Sequence, residues 1–364
     1  MTPKENILAV LNHQEREWIP SFYDMIVTGF SSQPGPAFEK GPGLDGFGIN
    51  WLTPASGGGA PIPEPGVFLM DSETIVDWKK IIKFPDVTAY DWEGEYAKAL
   101  AKGNPEIQAI DFGSGNGPFE RMAALMGFEE ALIAMYEEPE ASFDLLDAIA
   151  DYKIQVAECV KKYVHADTFT NYDDIATERD LFMDPATFKK LVKPAHTKMY
   201  SAIRDMGMLP IQHTCGRAEL AIEDMIDAGA ACWTSVQPTN NIPHLLETYG
   251  DRICIMGGYN SNGAPARDDV PDEEHPEALT AIAAAKNNAD NMKAMHDKLV
   301  NDIQQMESRR DTIKAKLDNK IILFNLITQN MKLNTILLIN NDENKNDQTN
   351  LFTFNTSVFE LKKD

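Results

Sequence analysis

Two residues of the kind that ligate zinc, His213 and Cys215, stand two positions apart in the sequence. They end an apolar run, 209–213, that is typical of a buried strand. Residues two apart on a strand point to the same face, so the imidazole and the thiol are expected to face one space. An imidazole and a thiolate together form a good zinc pair. The alternative is that both are ordinary buried residues, because cysteine often behaves as a small hydrophobe.

Carboxylates follow two other apolar runs. Asp173 and Asp174 come directly after the run 167–172. Either could act as a general acid if burial raises its pKa, and the alternative is a cap at a helix N-terminus. Glu120 follows the glycine-rich stretch 113–117, which lacks the spacing and the lysine of a phosphate-binding loop. That stretch is therefore interpreted as a flexible loop from which Glu120 could reach a pocket, and all three acids are catalytic candidates.

A further group of aromatic and amide side chains lies near these segments and would suit a pocket for a flat or methylated substrate. Core packing is the more common role for aromatic residues, and we expect it for at least half of them. The predicted substrate-binding residues are Tyr23, Trp51, Tyr172, Gln237, Tyr259 and Asn260.

The elements that must position these residues alternate between strands and helices. Strands are predicted at 45–51, 108–112, 167–172, 209–213, 231–236 and 253–256, and amphipathic helices at 129–163, 185–205 and 217–228. Such alternation favours a parallel sheet with right-handed crossovers. Polar residues and glycines cluster just after each run, and in a β/α barrel that edge carries the chemistry.

Charge and composition exclude several classes of partner. Residues 280–364 hold 12 basic and 11 acidic groups, so the net charge of -23 lies entirely in the first 279 residues. An acidic domain repels nucleic acid and anionic membranes, and we expect neither as a partner. The sequence contains no apolar run long enough for a membrane span and no secretory signal, and its four cysteines form no dense framework. These features predict a cytoplasmic protein.

The pattern changes after residue 279. Residues 280–319 predict one charged helix, in which Met292, Leu299, Met306 and Ile313 recur every seven positions. A second, imperfect row contains His296, Ile303, Arg310 and Leu317. Together the rows predict a coiled-coil-like seam and self-association through 280–319. The tail 320–364 is rich in Asn, with nine in 45 residues and no Gly, Pro or Ala. The segment 280–364 is either an oligomerisation appendage or a junction artefact such as a frameshift or fusion.

Short motifs in a consistent order resemble the uroporphyrinogen decarboxylase superfamily. They are found at 1–6 with 16–20, at 117–120 with 126–128, at 173–174 with 181–185 and 193–194, and at 213–216, 237–238 and 257–260. The resemblance implies a (β/α)8 TIM barrel over residues 1–278. In that barrel the first motif is the N-terminal helix running into the first strand, and the other motifs are the turns that follow strands three to seven. The eighth strand should follow residue 279, so seven strands and a truncated barrel are expected. Residues 279–319 and 320–364 would then be separate segments.

One departure from the family favours a particular branch. Uroporphyrinogen decarboxylases carry an arginine-bearing loop that binds carboxylates, whereas the matching stretch 21–30 contains no arginine. The sequence more closely resembles the corrinoid-linked methyltransferases and O-demethylases of the superfamily. That resemblance implies zinc at His213 and Cys215 with a later cysteine, a small methylated donor, and a corrinoid carried by a separate partner protein. The third zinc ligand and the direction of methyl transfer stay open.

Two alternatives to methyl transfer remain at the level of sequence. One is a cofactor-free decarboxylase of the parent type, which the missing arginines disfavour. The other is a non-catalytic remnant, in which a broken barrel is fused to a self-associating helix.

Overall fold

The structure is a computed structural model, and its described part is divided into several ranges. These are residues 1–29, 43–52, 61–260, 301, 304–306, 308–312 and 314–316. The chain divides into two units, Met1–Asp268 and Asp269–Asp364. In the second unit every described residue is helical. The rest of the predicted helix 280–319, its coiled-coil seam, the tail 320–364 and the expected site of an eighth strand lie outside the described residues and stay predictions.

Nine strands occur in the described residues, in two sheets. They are β1 Met25–Gly29, β2 Gly43–Leu44, β3 Asn50–Leu52, β4 Ile62–Pro63, β5 Ala109–Ser114, β6 Thr168–Tyr172, β7 Leu209–His213, β8 Cys232–Val236 and β9 Cys254–Gly257. Six of them form a parallel sheet in the order β1-β5-β6-β7-β8-β9. The other three form a small antiparallel sheet in the order β2-β3-β4. The parallel sheet with its intervening helices confirms the α/β class and is consistent with a TIM-type barrel.

Ten α-helices are present in the described residues of the first unit. They are α1 Pro3–Leu11, α2 Trp78–Ile81, α3 Trp92–Lys102, α4 Pro118–Met126, α5 Phe128–Glu137, α6 Pro139–Cys159, α7 Pro185–Thr187, α8 Lys193–Asp205, α9 Ile222–Ala228 and α10 Ile242–Tyr249. Wider π-type turns extend α6 through Val160–Val164 and precede α8 at Phe188–Val192. None of these helices is both long and apolar enough to cross a membrane.

Local sequence explains where several helices begin. The side chain of Thr2 accepts a hydrogen bond from the Glu5 backbone, and the Glu5 side chain accepts one from the Thr2 backbone. This reciprocal capping starts α1. The predicted helical stretch 129–163 is interrupted because Pro139 lacks a backbone N–H and begins a new helix, α6, directly after α5.

The described residues supply six strands of the large sheet, in which β1 pairs directly with β5, with Met25 opposite Ala109. The expectation of seven strands over residues 1–278 stays a prediction, because parts of that range lie outside the described residues. The turns assigned to strands three to seven follow the second to sixth strands of this sheet. The stretch 21–29, matched above to an arginine-bearing loop, is a single 3-10 turn followed by β1.

The predicted strand at 45–51 is largely a turn between β2 and β3. The Asp45 carboxylate accepts hydrogen bonds from the backbone N–H groups of Phe47 and Ile49, both at 2.9 Å. A side chain that bonds the backbone a few residues ahead competes with strand pairing. Gly48 has a φ of +87°, a conformation that glycine adopts without steric cost. The chain consequently reverses here and does not join the parallel sheet.

Buried apolar side chains lie on both faces of the parallel sheet. One cluster of buried side chains joins Met25, Ala109, Ile211 and Cys232 with Ile7 of α1. Residues of the opposite face pack in a much larger cluster with the helices, among them Ile26, Ile110, Phe112, Phe169 and Trp233. Strands buried on both faces are characteristic of parallel sheets covered by helices. Apolar residues thus hold the strands, and chemistry is left to the residues at their ends.

A buried ion pair attaches the small antiparallel sheet to the helix layer. The Arg121 guanidinium on α4 donates to the Asp45 carboxylate at 2.7 Å, and both side chains are almost fully buried. The guanidinium also lies 4.4 Å from the Phe47 ring centroid, and Trp51 donates its indole N–H to the same Asp45 carboxylate. Burial lowers the pKa of Arg121, and the neighbouring Asp45 charge raises it. The pair therefore stabilises the arginine cation, and removal of the acid would leave a buried charge uncompensated.

We expect Asp45→Asn to lower the free energy of unfolding by about 3–5 kcal/mol, the usual cost of breaking a buried ion pair. Urea unfolding at neutral pH measures the change. Asp144→Asn, which breaks the exposed Lys79–Asp144 pair, is the matched control and should change stability little. Equal effects of the two substitutions would contradict a special role for the buried pair.

Candidate functional site

Parallel registration brings the ends of three neighbouring strands together. Tyr172 at the end of β6 lies opposite His213 at the end of β7, and His213 lies opposite Thr234 of β8. The residues that follow these ends, including Asp174 and Cys215, therefore emerge at one edge of the sheet. In an α/β barrel this carboxyl-terminal edge is where catalytic side chains are found.

Asp174, His213 and Cys215 form a group that could hold a metal ion, because one ligand atom from each lies within 4.8 Å of the others. The Cys215 Sγ is 3.7 Å from the His213 Nε2. The Cys215 backbone N–H donates to the Asp174 carboxylate at 2.7 Å, which holds that carboxylate beside the thiol. One imidazole, one thiolate and one carboxylate are a suitable ligand set for zinc.

The third ligand, which the sequence leaves open, is offered in the structure by Asp174 and by neither Cys254 nor Asp173. The Cys254 Sγ donates to the Val10 carbonyl at 3.1 Å, and Cys254 lies opposite Cys232, at the start of β9. That places Cys254 near the amino ends of the strands, away from Cys215. The Asp173 carboxylate also turns away, toward α4 and α8. Asp174, which the sequence predicts only as an acid, lies beside His213 and Cys215 instead.

Burial governs the protonation of these ligands. It lowers the pKa of His213 to about 4, so the imidazole is neutral at pH 7, as a metal ligand must be. Burial raises the pKa of the Cys215 thiol, and the Asp174 charge raises it further, whereas a hydrogen bond with Ser235 lowers it. Burial also raises the pKa of Asp174, opposed by the bond from Cys215. A divalent cation would reverse these effects by favouring the anionic ligands.

Asp173 caps a helix that belongs to a different part of the chain. Its side chain is fully buried and accepts hydrogen bonds from the backbone N–H groups of Phe119 at 3.3 Å and Glu120 at 2.8 Å. The oxygen that accepts from Phe119, Oδ2, is also 2.6 Å from the His196 Nε2 on α8. A carboxylate at a helix N-terminus is stabilised by the helix dipole. The contacts favour the capping alternative for Asp173, although the cap is on α4 and not on the helix that follows it in sequence.

Glu120 lies at the first turn of α4, next to both aspartates. Burial raises its pKa well above the ordinary value of 4.5, and the charges of Asp174 and Asp173 raise it further. Lys153 lowers it and is itself buried, donating to the Ser114 hydroxyl at 2.8 Å. These effects favour the protonated form of the Glu120 carboxyl. Because Glu120 is only partly buried, that carboxyl can still meet a ligand.

Two of the predicted substrate-binding residues lie at this site. The Tyr172 ring packs on the His213 imidazole, with centroids 4.3 Å apart and planes inclined by 32°. Gln237 follows β8, is buried, and accepts a hydrogen bond from the Gly216 backbone at 3.2 Å. Tyr172 can therefore orient the imidazole, and Gln237 holds the turn after Cys215.

The other four predicted substrate residues are placed differently. Tyr23 precedes β1 and is thus at the amino end of the sheet, 87% exposed and opposite the candidate site. Trp51 is 3% exposed and packs in the core, as expected for part of this set. Tyr259 and Asn260 follow β9 at the carboxyl-terminal edge, two strands from His213. The structure thus separates Tyr23 and Trp51 from the metal-ligating group.

Sequence reasoning missed Ser235. Its hydroxyl is 3.1 Å from the Cys215 Sγ, and its backbone has a φ of +66° at an irregularity in the pairing between β8 and β9. Serine rarely adopts this left-handed conformation, and bulges of this kind are common beside active sites. No sequence signal distinguishes Ser235, because the bulge depends on pairing with β9.

Comparison with models of protein families matches residues 78–264 to uroporphyrinogen decarboxylase (URO-D), just over half of the chain. The chain belongs to the URO-D family. The match includes α4, β5 to β9 and the group Asp174, His213 and Cys215. No curated protein matches the chain. Family membership supports an enzyme related to decarboxylases and methyltransferases of this fold, without specifying the substrate.

The raised pKa of Glu120 predicts a pH-dependent effect of its removal in the metal-free protein. A carboxyl whose pKa is higher in the folded state contributes stability that is complete below its unfolded pKa and is lost as pH rises through its folded pKa. We therefore expect Glu120→Gln to be more stable than the parent at pH 8 and similar to it at pH 4. Chemical unfolding at both pH values measures the difference.

Glu129→Gln on the exposed side of α5 removes the same charge and controls for net charge. A pH-independent difference for Glu120→Gln, or an equal trend for both variants, would contradict the raised pKa of Glu120.

Proposed function

We propose that this URO-D family protein is a methyltransferase with a zinc-type centre held by Asp174, His213 and Cys215. It would move a methyl group between a small methylated donor, such as an O-methyl ether, and either a corrinoid carried by a partner protein or a thiol. The observation that carries the proposal is the convergence of these three ligands from two strand ends. Three protein ligands leave one position for a substrate atom, as in catalytic zinc sites.

When bound, zinc would supply Lewis acidity toward a donor oxygen or lower the pKa of a thiol. Other residues of the chain would hold the three ligands in position. The Tyr172 ring packs on His213 and keeps its imidazole plane in place. The Ser235 hydroxyl contacts the Cys215 sulfur, and the Cys215 backbone orients the Asp174 carboxylate. Such outer contacts orient the ligands and contribute to metal affinity.

Glu120 is the best supported proton donor in this proposal. Cleavage of an O-methyl bond leaves an alkoxide or phenolate that must take up a proton. Burial and two neighbouring carboxylates favour the protonated form of Glu120. Asp173 is less suited, since both of its oxygens already accept or share hydrogen bonds with α4 and His196. Asp173 would therefore position Glu120 through its backbone rather than transfer a proton.

The electrostatics of the site disfavour porphyrinogen decarboxylation. A polycarboxylate substrate needs cationic partners, preferably arginines. Within the described residues, the arginine nearest Glu120 is Arg121, which is buried against Asp45, and Arg217 beyond Cys215 pairs with Glu219. Glu120 and Asp174 add negative charge. A neutral or methylated donor therefore fits this site better than a substrate bearing many carboxylates.

The metal assignment predicts one zinc per chain after removal of metal by a chelator and refilling. We expect His213→Ala, Cys215→Ser and Asp174→Ala each to weaken zinc binding by more than the ~10–100-fold usually lost with an outer-shell group. Elemental analysis and competition with a chromogenic chelator measure stoichiometry and affinity. Cys159→Ser, on α6, is the control and should retain zinc. Unchanged zinc content in the first three variants would rule out this centre.

The activity itself is tested with two substrates in parallel. Zinc-loaded protein should demethylate an O-methyl arene in the presence of reduced cobalamin as acceptor, detected by the spectrum of methylcobalamin. His213→Ala should lose this activity while remaining folded. Release of CO2 from uroporphyrinogen with no methyl transfer would support the decarboxylase alternative. Absence of both activities, together with absence of zinc, would support a non-catalytic barrel.

A further inference from the structure

A buried amide connects the two strand ends that supply the candidate metal ligands. Gln212 precedes His213 on β7, so its side chain points to the opposite face, into the helix layer. That side chain is fully buried. Its Nε2 donates to the carbonyl of Asp173 and to the carbonyl of His213, each at 2.9 Å. One rigid amide group thus bonds the backbone next to Asp174 and the backbone of His213.

The direction of this amide is determined by two donors on its other side. The Gln212 Oε1 accepts hydrogen bonds from the Tyr200 hydroxyl and from the Asn171 Nδ2, the latter at 3.3 Å. The Asn171 Nδ2 also donates to the Tyr200 hydroxyl at 3.2 Å. Reversal of the amide would put its Nε2 against the Asn171 Nδ2 donor and its Oε1 against two carbonyl oxygens. Since all of these groups are buried, each unmet bond would cost free energy.

The separation of the ligands depends on this connection. His213 and Cys215 lie on one strand end, so their spacing follows from the chain itself. Asp174 comes from β6, and its distance from His213 depends on how β6 and β7 are held together at their ends. The last backbone bond there runs from the Asp173 N–H to the His213 carbonyl at 3.1 Å. Further out, the Cys215 N–H donates to the Asp174 carboxylate at 2.7 Å and the Ile175 N–H donates to the Thr214 hydroxyl at 3.0 Å. The amide of Gln212 differs from these bonds because a single group bonds the backbone carbonyls of both strand ends from the helix side.

We propose that Tyr200 and Gln212 are a positioning pair that sets the distance between Asp174 and the His213–Cys215 end of the metal centre. The inference rests on the proposed function. Tyr200 acts through Gln212, whose amide it orients, and neither residue contacts the metal. Tyr200 lies on α8, which also carries His196, the partner of Asp173. The distance between the candidate ligands therefore depends on the position of α8 as well.

The chain contains a matched control for the Tyr200 hydroxyl. Tyr152 on α6 is also buried, and its hydroxyl has no hydrogen-bond partner among the described residues. Tyr152→Phe and Tyr200→Phe therefore remove the same atom from the same layer, but only Tyr200→Phe removes a bond to Gln212. A general effect of losing a buried hydroxyl would appear in both variants.

Titration with Co2+ provides a readout that does not require activity. Thiolate-to-cobalt absorption reports Cys215, and the visible bands report the coordination geometry. We expect Tyr200→Phe to weaken Co2+ affinity by roughly 10-fold and to alter the visible bands, as for other outer-shell groups. Tyr152→Phe should match the parent in both. Unfolding curves of the metal-free proteins show whether each variant is folded.

A double substitution tests whether Tyr200 acts through Gln212. In a Gln212→Leu background, Tyr200→Phe should cause no further loss of Co2+ affinity. Additive losses would overturn the inference, as would parental affinity and spectrum in Tyr200→Phe, even if its unfolding free energy falls. If Gln212→Leu does not fold, the comparison of Tyr200→Phe with Tyr152→Phe decides the question. Absence of Co2+ binding by the parent protein would overturn the metal centre as well, and so separates the two failures.

Discussion

Strands β6 and β7 are paired in parallel with Tyr172 opposite His213, and this register decides which side chains meet at the site. A shift by one residue would turn the side chains of His213 and Cys215 into the helix layer. It would turn the side chain of Gln212 to the face that now carries the candidate site. The ring of Tyr172 could then no longer pack on His213, and Asp174 would be separated from Cys215. The candidate metal-ligating group, the Tyr172 ring that packs on it and the Gln212 amide beside it all depend on this one pairing.

The acidic groups of the site are separated in function by their surroundings. Asp173 is fully buried and bonded to the start of α4 and to His196, which makes it part of the framework. Asp174, one residue later, turns to the opposite side and faces Cys215. Glu120 is held close to both, and their charges raise its pKa. Adjacent carboxylates thus serve as a cap, a candidate ligand and a candidate acid, because the chain bends where β6 ends.

Stability and function are distributed over different parts of the sheet. The apolar clusters on its two faces and the Asp45–Arg121 pair hold the strands and the small antiparallel sheet in place. At the carboxyl ends the side chains are polar, and the carboxyl groups of Asp173, Asp174 and Glu120 are brought close together by burial there. That arrangement costs stability in the metal-free protein. A bound cation would offset part of this cost, so metal binding and folding are expected to be coupled.

The sequence by itself determined the α/β class, the family resemblance, five of the six parallel strands and the pairing of His213 with Cys215. These follow from local periodicity, since an apolar run and a two-residue spacing need no knowledge of distant segments. Only the tertiary structure decided that Asp174 lies beside His213 and Cys215, that Asp173 caps α4, and that 45–51 forms a turn outside the main sheet. The sequence also could not predict the roles of Ser235, Gln212 and Tyr200, because these arise from contacts between strands and helices that are far apart in sequence.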